Sequence, residues 1–304
     1  MVSIIMATYN RAHLIEETLK SIENQSYKDW ECLIIDDGAT DNTEEILQKW
    51  LQKDSRFKYQ KRASNHQKGL PGCRNQGIEL AKGDYIIFFD DDDLIHPQNL
   101  KICVDYNNRH TVDFLHYEKK PFKSKQDIFF KQYESYFFEK TISRKDVYDS
   151  ITGKIGLASC TIMWSQKVLK DFKFDETLQF AEEWDLYNRL LINGYTGHKI
   201  KNQLYFNRKH SLSNTALYYK HNPEKTKSKI QACCNIIYAL DEKKLLNKRY
   251  IKFFIGLRKK EESKPIFKTL LKSKSLGLRN KMYLIFRYTF LSQLKYLYAL
   301  KSKT

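Results

Sequence analysis

Through residues 2–117, short β-branched runs alternate with segments of helical apolar spacing, and this alternation restricts the fold more than any other feature of the chain. Val2–Ala7 predicts a strand, and Ala12–Asn24 places Leu14, Ile15, Leu19 and Ile22 at helical spacing. Cys32–Ile35 predicts a second strand, ending abruptly in Asp36-Asp37-Gly38. The next helix opens near Asp41, a capping residue with Glu44 three positions on, and Ile46, Leu47, Trp50 and Leu51 form its apolar stripe. Phe57–Gln60 predicts a third strand, Gly72–Ala81 a helix closed by Gly83, and Asp84–Phe89 is the most strand-like segment of all. Pro97 opens a helix over Gln98–Asn108, and Val112–Tyr117 reads as a further strand. Such an order builds an α/β domain, a doubly wound, mostly parallel sheet covered by helices. Ligands of these sheets sit beyond the carboxyl ends of the strands, where this chain concentrates its polar clusters.

Charge divides the chain. Of its 304 residues, positions 1–219 hold 31 Lys+Arg and 31 Asp+Glu, whereas positions 220–304 hold 22 and 5, so the whole net charge of +17 lies in the last segment. This predicts a main α/β domain over 1–219 and a basic, mainly helical C-terminal extension over 220–304. Apolar residues at 41% and aromatics at 14% exclude a disordered chain. No uncharged apolar run approaches the ~18 residues of a membrane span. MVSIIMATYN has no basic region before an apolar core, so it reads as a strand and not as a signal peptide. The six cysteines show no CxxC spacing and read as reduced, buried side chains of a cytoplasmic protein.

Asp90-Asp91-Asp92-Asp93 follows the apolar run Ile86–Phe89 and packs four carboxylates together at the rim of the sheet. Mutual repulsion raises their pKa values unless a cation intervenes, and carboxylate oxygens suit Mg²⁺ or Mn²⁺, above all when a substrate phosphate completes the coordination. Two enzyme classes place D-x-D after an apolar strand. Haloacid-dehalogenase-type phosphatases use the first Asp as nucleophile, on their first strand; nucleotide-sugar glycosyltransferases use the motif to hold a metal on the donor diphosphate. A catalytically degenerate nucleotide- or glycan-binding module is the non-enzymatic alternative.

Four ordered stretches favour the second class. VSIIMATYNR with LIIDDGATDN, then GLPGCRNQGIELAKGDYIIFFDDDD, then FAEEWDLYNRLLINGY, resemble family-2 glycosyltransferases of the GT-A fold over residues 1–210. The resemblance implies an inverting, metal-dependent transferase that moves a sugar from a UDP-sugar donor to a glycan or lipid-linked acceptor hydroxyl, with Mn²⁺ or Mg²⁺ as cofactor. It implies that Thr8, Tyr9 and Arg11 line the nucleoside pocket and that Asp37 accepts a hydrogen bond from the base, with Asp36 and Gly38 shaping that loop. Arg74 approaches the nucleotide, Asp90 faces the ribose or metal, Asp91 belongs to the nucleotide site, and Asp92 is the direct metal ligand, with Asp90 a further one. Glu183, in Glu182-Glu183-Trp184-Asp185, stands where the family carries its base, usually an Asp. His210, in Asn207-Arg208-Lys209-His210-Ser211, is a candidate metal or phosphate contact. Asp185 and Arg189 at i,i+4 read as a surface ion pair.

In the extension, Tyr283, Phe286, Phe290, Leu294 and Leu297 recur at spacings of one helix face among Lys and Arg. This face suits an anionic membrane surface, peripheral at the cytoplasmic side; packing on the catalytic domain or self-association are the alternatives. No nucleic-acid module accompanies the charge, so nucleic acid is not an expected partner.

Overall fold

The structure is a computed structural model, and it describes residues 1–209, 222–257 and 263–290. Strands β1 (Val2–Thr8), β2 (Trp30–Asp36), β3 (Phe57–Lys61) and β4 (Tyr85–Phe88) alternate with helices α1 (Ile15–Glu23), α2 (Thr43–Lys53) and α3 (Leu70–Leu80). All pair in parallel in the order β3-β2-β1-β4, with Thr8 opposite Asp36 at the last register position of β1 and β2. Next come β5 (Leu94–Ile95), α4 (Asn99–Asn107), β6 (Phe114–Phe122), β7 (Phe138–Ile142), α5 (Val147–Ile151), β8 (Ile162–Ser165), α6 (Gln166–Asp171), α7 (Glu182–Asn193) and β9 (Gly197–Arg208).

These later strands extend the same sheet as β4-β8-β6-β9-β5, with β7 also on β9. Here β8 runs antiparallel to both β4 and β6, and β5 and β7 run antiparallel to β9, while β6 and β9 are parallel. The doubly wound parallel part therefore ends at β4, and the sheet beyond it is mixed. The regular strand–helix–strand crossover that enforces parallel pairing stops there, and the later connections leave the direction free.

Period-2 side-chain alternation sorts the core into two layers. Ile4, Met6, Cys32, Ile34 and Ile87 face α1, α2 and α4, whereas Ile5, Leu33, Ile86 and Phe88 face α5, α6 and α7. Helix α3 lies on the second side, where Gly77 packs against Ile5 so closely that a β-carbon has no room. Gly83 does not close this helix: the cap is Ala81, and the Gly83 N–H donates to Ser3 Oγ at 2.8 Å, its missing side chain allowing contact with the start of β1. Helix α2 begins at Thr43; the preceding Asn42 makes no side-chain cap bond, and Asp41 supplies it instead, its carboxylate accepting from the Thr43 and Ala12 amides.

The basic extension forms α8 (Pro223–Glu242), α9 (Lys248–Gly256), α10 (Lys264–Lys272) and α11 (Leu278–Thr289). Cys233, Ile236, Ile237 and Leu240 of α8 join Leu186 and Leu190 of α7 in one apolar cluster, so the core continues across the charge boundary. That packing also buries Asp185 completely; its 2.7 Å pair with Arg189 is an interior ion pair and not the surface pair expected from the spacing. On α11, Leu284 is buried and Tyr283 half-buried beneath Lys248, while Leu278, Met282, Ile285 and Phe286 form the exposed face. Leu294 and Leu297 lie outside the described residues.

Candidate active site

The carboxyl ends of β1, β2 and β4 open into a cleft of about 940 Å³. Thr8, Tyr9, Arg11, Asp37, Arg74, Asp90, Asp91, Asp92 and Glu183, which the sequence singles out, all line it. His210 falls outside the described residues. Asp36 is buried and shapes the turn: Oδ1 accepts from the Gly38 and Ala39 amides at 3.1 and 2.8 Å, and Oδ2 from the Tyr59 hydroxyl at 2.8 Å. Asp37 ties the turn after β2 to the β3–α3 loop, accepting from Arg62 Nε at 2.5 Å and the Gly69 amide at 3.0 Å. Tyr9 is 44% exposed on the cleft wall, with Lys68 Nζ 4.9 Å from its ring centre.

Arg74, which the resemblance brings near the nucleotide, lines the cleft with its guanidinium beneath the acids. It is 3% exposed; Nη1 lies 3.2 Å from Glu182 and 3.1 Å from Glu183, and Nη2 lies 3.4 Å from Asp90 and 3.1 Å from Ser159 Oγ. One cation therefore gathers carboxylates from the end of β4 and the start of α7. Glu183 Oε1 also accepts from Ser159 Oγ at 2.6 Å and Oε2 from the Ser159 amide at 3.0 Å. The acidic first turn of α7 suits the positive end of its dipole.

Burial raises Asp90 to about 6 and Asp91 to about 7, against the pull of Arg74 and Arg11 respectively. Asp93 is raised well above the usual range by burial and by Asp90 and Asp92. The two glutamates separate. Desolvation raises Glu182 to about 7, whereas at Glu183 desolvation is outweighed by Arg74 and the Ser159 hydrogen bonds, which hold it below its ordinary value. Two adjacent carboxyl groups are thus tuned apart, and Glu183 is the one kept as an anion.

The residues present fit a divalent cation. Among the described residues, Asp90, Asp93 and Cys160 each offer a ligand atom, all within 4.8 Å of one another. The two carboxylates are hard oxygen donors suited to Mg²⁺ or Mn²⁺, and a thiol is not. Positive charge beside them offsets the burial and the mutual repulsion that raise their pKa values. Asp92, which the resemblance makes the direct ligand, has a carboxylate 3.5 Å from Arg11 Nη2 and is not part of this group.

Sequence reasoning included Asp93 in the acidic run without giving it a role, and it missed Ser159, Tyr205 and Lys119. The Tyr205 hydroxyl accepts the Asp90 amide at 3.1 Å, and Arg208 closes over the run by donating its amide to Asp93 at 2.7 Å and Nε to the Asp92 carbonyl at 2.8 Å. Lys119 stands on the cleft wall, its protonated form favoured by Cys160, Glu183, Asp90 and Asp93 against the cost of burial. Arg208 has a visible signal in the Asn207–Ser211 stretch; the others have none.

The sheet with this cleft at its strand ends has the GT-A fold, which solved glycosyltransferase structures share. S. aureus TarS in complex with UDP-GlcNAc superposes with a TM-score of 0.68 at 21% identity, over 92% of this chain and 82% of that one. A Pyrobaculum calidifontis mannosyltransferase in complex with GDP-Man and Mn²⁺ gives 0.58 at 16% identity, over 96% and 80%. The family described as "Glycosyl transferase family 2" matches residues 3–172, and this chain belongs to it.

Among its relatives, an uncharacterized glycosyltransferase of Methanocaldococcus jannaschii is 31% identical over 211 residues, 64% of this chain and 66% of that protein. A Campylobacter jejuni GalNAc(5)-diNAcBac-PP-undecaprenol beta-1,3-glucosyltransferase is 40% identical over 91 residues, 30% of this chain and 29% of that one. The Escherichia coli UDP-Glc:alpha-D-GlcNAc-diphosphoundecaprenol beta-1,3-glucosyltransferase WfgD is 26% identical over 187 residues, 62% of this chain and 67% of that one. The first two matches thus span less than two thirds of the relatives' own lengths.

Proposed function

We propose that this chain transfers a sugar from a UDP-sugar to a hydroxyl of a glycan or lipid-linked acceptor, with inversion at the anomeric carbon and with Mn²⁺ or Mg²⁺. The observation that carries this reading is the position of Glu183: an ionised carboxylate on the cleft wall, joined through Arg74 to Asp90 on the rim of the sheet. The relatives named for beta-1,3-glucosyl transfer to undecaprenyl-diphosphate acceptors support the substrate class.

Glu183 has three donors on about four lone-pair positions, two on Oε1 and one on Oε2, so a position on Oε2 remains to take the proton of an attacking hydroxyl. A single base on one side of the anomeric carbon gives one displacement and inverts it. Asp37 would accept from the uracil N3–H, and it lines the cleft together with Tyr9 and Arg11. A divalent cation held by Asp90 and Asp93 would neutralise charge on the leaving diphosphate. Arg11 remains protonated beside Asp91 and Asp92, and so holds the acidic loop in place.

Turnover of UDP-sugars is expected to vanish in EDTA and to return with Mn²⁺. Mn²⁺ with UDP at a hundredfold over its Kd should add about 2.7 kcal/mol of stability, read as a raised melting temperature. Full activity after complete metal removal overturns the cation's role, and absence of turnover with every nucleotide sugar overturns transfer itself.

The exposed face of α11 supports peripheral attachment to an anionic bilayer, at the cytoplasmic side where the six buried cysteines stay reduced. Leu278 and Met282 are 76% and 63% exposed, with Ile285 and Phe286 on the same side, and the surrounding segment carries the whole net charge of the chain. Among the described residues no helix is long and apolar enough to cross a membrane. Replacing Ile285 and Phe286 by glutamate should abolish co-sedimentation with phosphatidylglycerol vesicles. Retained binding sinks this attachment surface.

A further inference from the structure

The base-bearing helix α7 starts from an unusual residue. Ala181, immediately before Glu182, has φ 66° and ψ 20°, a left-handed backbone that an L-residue holds only when its surroundings impose it, and no side chain caps the helix there. The surroundings come from the basic extension. Ser228 of α8 is 6% exposed; its Oγ accepts the Phe180 amide at 2.9 Å and donates to the Phe180 carbonyl at 2.7 Å, so one hydroxyl grips both backbone groups of a single residue. One turn earlier, Lys225 Nζ lies 3.5 Å from the Gln179 carbonyl, and Gln179 in turn donates to the Lys68 carbonyl at 3.0 Å. Beyond the acids, Lys229 Nζ sits 3.2 Å from the centre of the Trp184 ring. Contacts from α8 at positions 179, 180 and 184 thus bracket Glu182 and Glu183.

Resting on the transfer reading above, we infer that Ser228 is a positioning residue for Glu183: the extension completes the active site by fixing where the base-bearing helix begins. Without the Ser228 hydroxyl, the Phe180 amide and carbonyl lose these two hydrogen bonds and the Ala181 turn loses that anchor. Glu183 then drifts from the attacking hydroxyl, while the Asp37, Tyr9 and Asp90 side of the cleft keeps its own supports. The loss belongs to kcat and not to donor binding.

The test is made on the full chain, with UDP affinity and steady-state kinetics measured side by side. Ser228→Ala should lower kcat on the order of 10- to 100-fold, with donor KM and UDP affinity within about twofold of wild type. Ser228→Thr, which keeps the hydroxyl, should restore most of the turnover. Ser228→Cys fills the same space with a weak donor and carries the test if the alanine variant does not fold. A kcat within about twofold of wild type, or a fall in UDP affinity matching the fall in turnover, overturns the positioning role. Absence of turnover in the wild-type chain would instead refute the transfer reading, so the two failures are told apart.

Discussion

Arg74→Met is expected to cost about 3–5 kcal/mol of stability, the usual penalty for removing one partner of a buried charge cluster. Methionine matches much of the arginine's length, so the loss is electrostatic and not a cavity. Asp90, Glu182 and Glu183 would then face one another without their shared cation, in a place where burial already raises the first two to about 6 and 7. Against a total of about 5–15 kcal/mol for a domain, this is enough to empty much of the folded state. The pH dependence gives the cause. Carboxyl groups whose folded pKa is raised bind more protons in the native state than in the unfolded one, so stability falls as pH rises through the folded values. Removing Arg74 raises them further, and the deficit relative to wild type should be larger at pH 8 than at pH 5. Urea unfolding of both proteins in EDTA at the two pH values measures it. A deficit under about 1 kcal/mol at pH 8, or one independent of pH, would show that Arg74 is not the electrostatic centre of the site. Arg74→Lys should fall between, because one ammonium cannot span four partners as a planar fork does.

That centre was not legible in the sequence. Arg74 meets Glu182 across 108 positions and Ser159 across 85, and no local period reports pairings at such separations. The strand–helix alternation of residues 2–88 was legible because core-facing side chains recur with periods of two and 3.6, and β1 to β4 with α1 to α3 follow from it. The acidic rim was legible as a place but not as a geometry. Four consecutive aspartates give no signal of which side chain turns where: Asp91 and Asp92 went to Arg11, whereas Asp93 went to the Arg208 amide and to the side of Asp90. The charge step near residue 220 was visible, but the apolar seam of α8 against α7 that crosses it was hidden by the lysines around it. Ser228 carried no signal at all, since a serine becomes an anchor only when a strained loop is brought to it.

Glu183→Gln should lower turnover about 10²–10⁴-fold, the range for losing a general base, which corresponds to about 2.7–5.4 kcal/mol on the barrier. The amide keeps the carboxylate's shape and its one oxygen still accepts from the Ser159 hydroxyl, at the loss of the bond from the Ser159 amide, while Arg74 retains Glu182 and Asp90, so the fold and the UDP affinity should stay close to wild type. What is removed is the capacity to take a proton. Glu182→Gln is the informative control, because Glu182 is held near 7, is 10% exposed against 27% for Glu183, and so is less often an anion and less open to the acceptor. Its replacement should cost far less turnover. Kinetics of the two variants with a common donor and acceptor, alongside UDP binding, separate the roles. A larger loss in Glu182→Gln moves the base by one residue, whereas equal small losses remove it from α7 altogether. Glu183→Asp should retain part of the activity, since the shorter side chain keeps the proton acceptor but withdraws it by one methylene from the attacking hydroxyl.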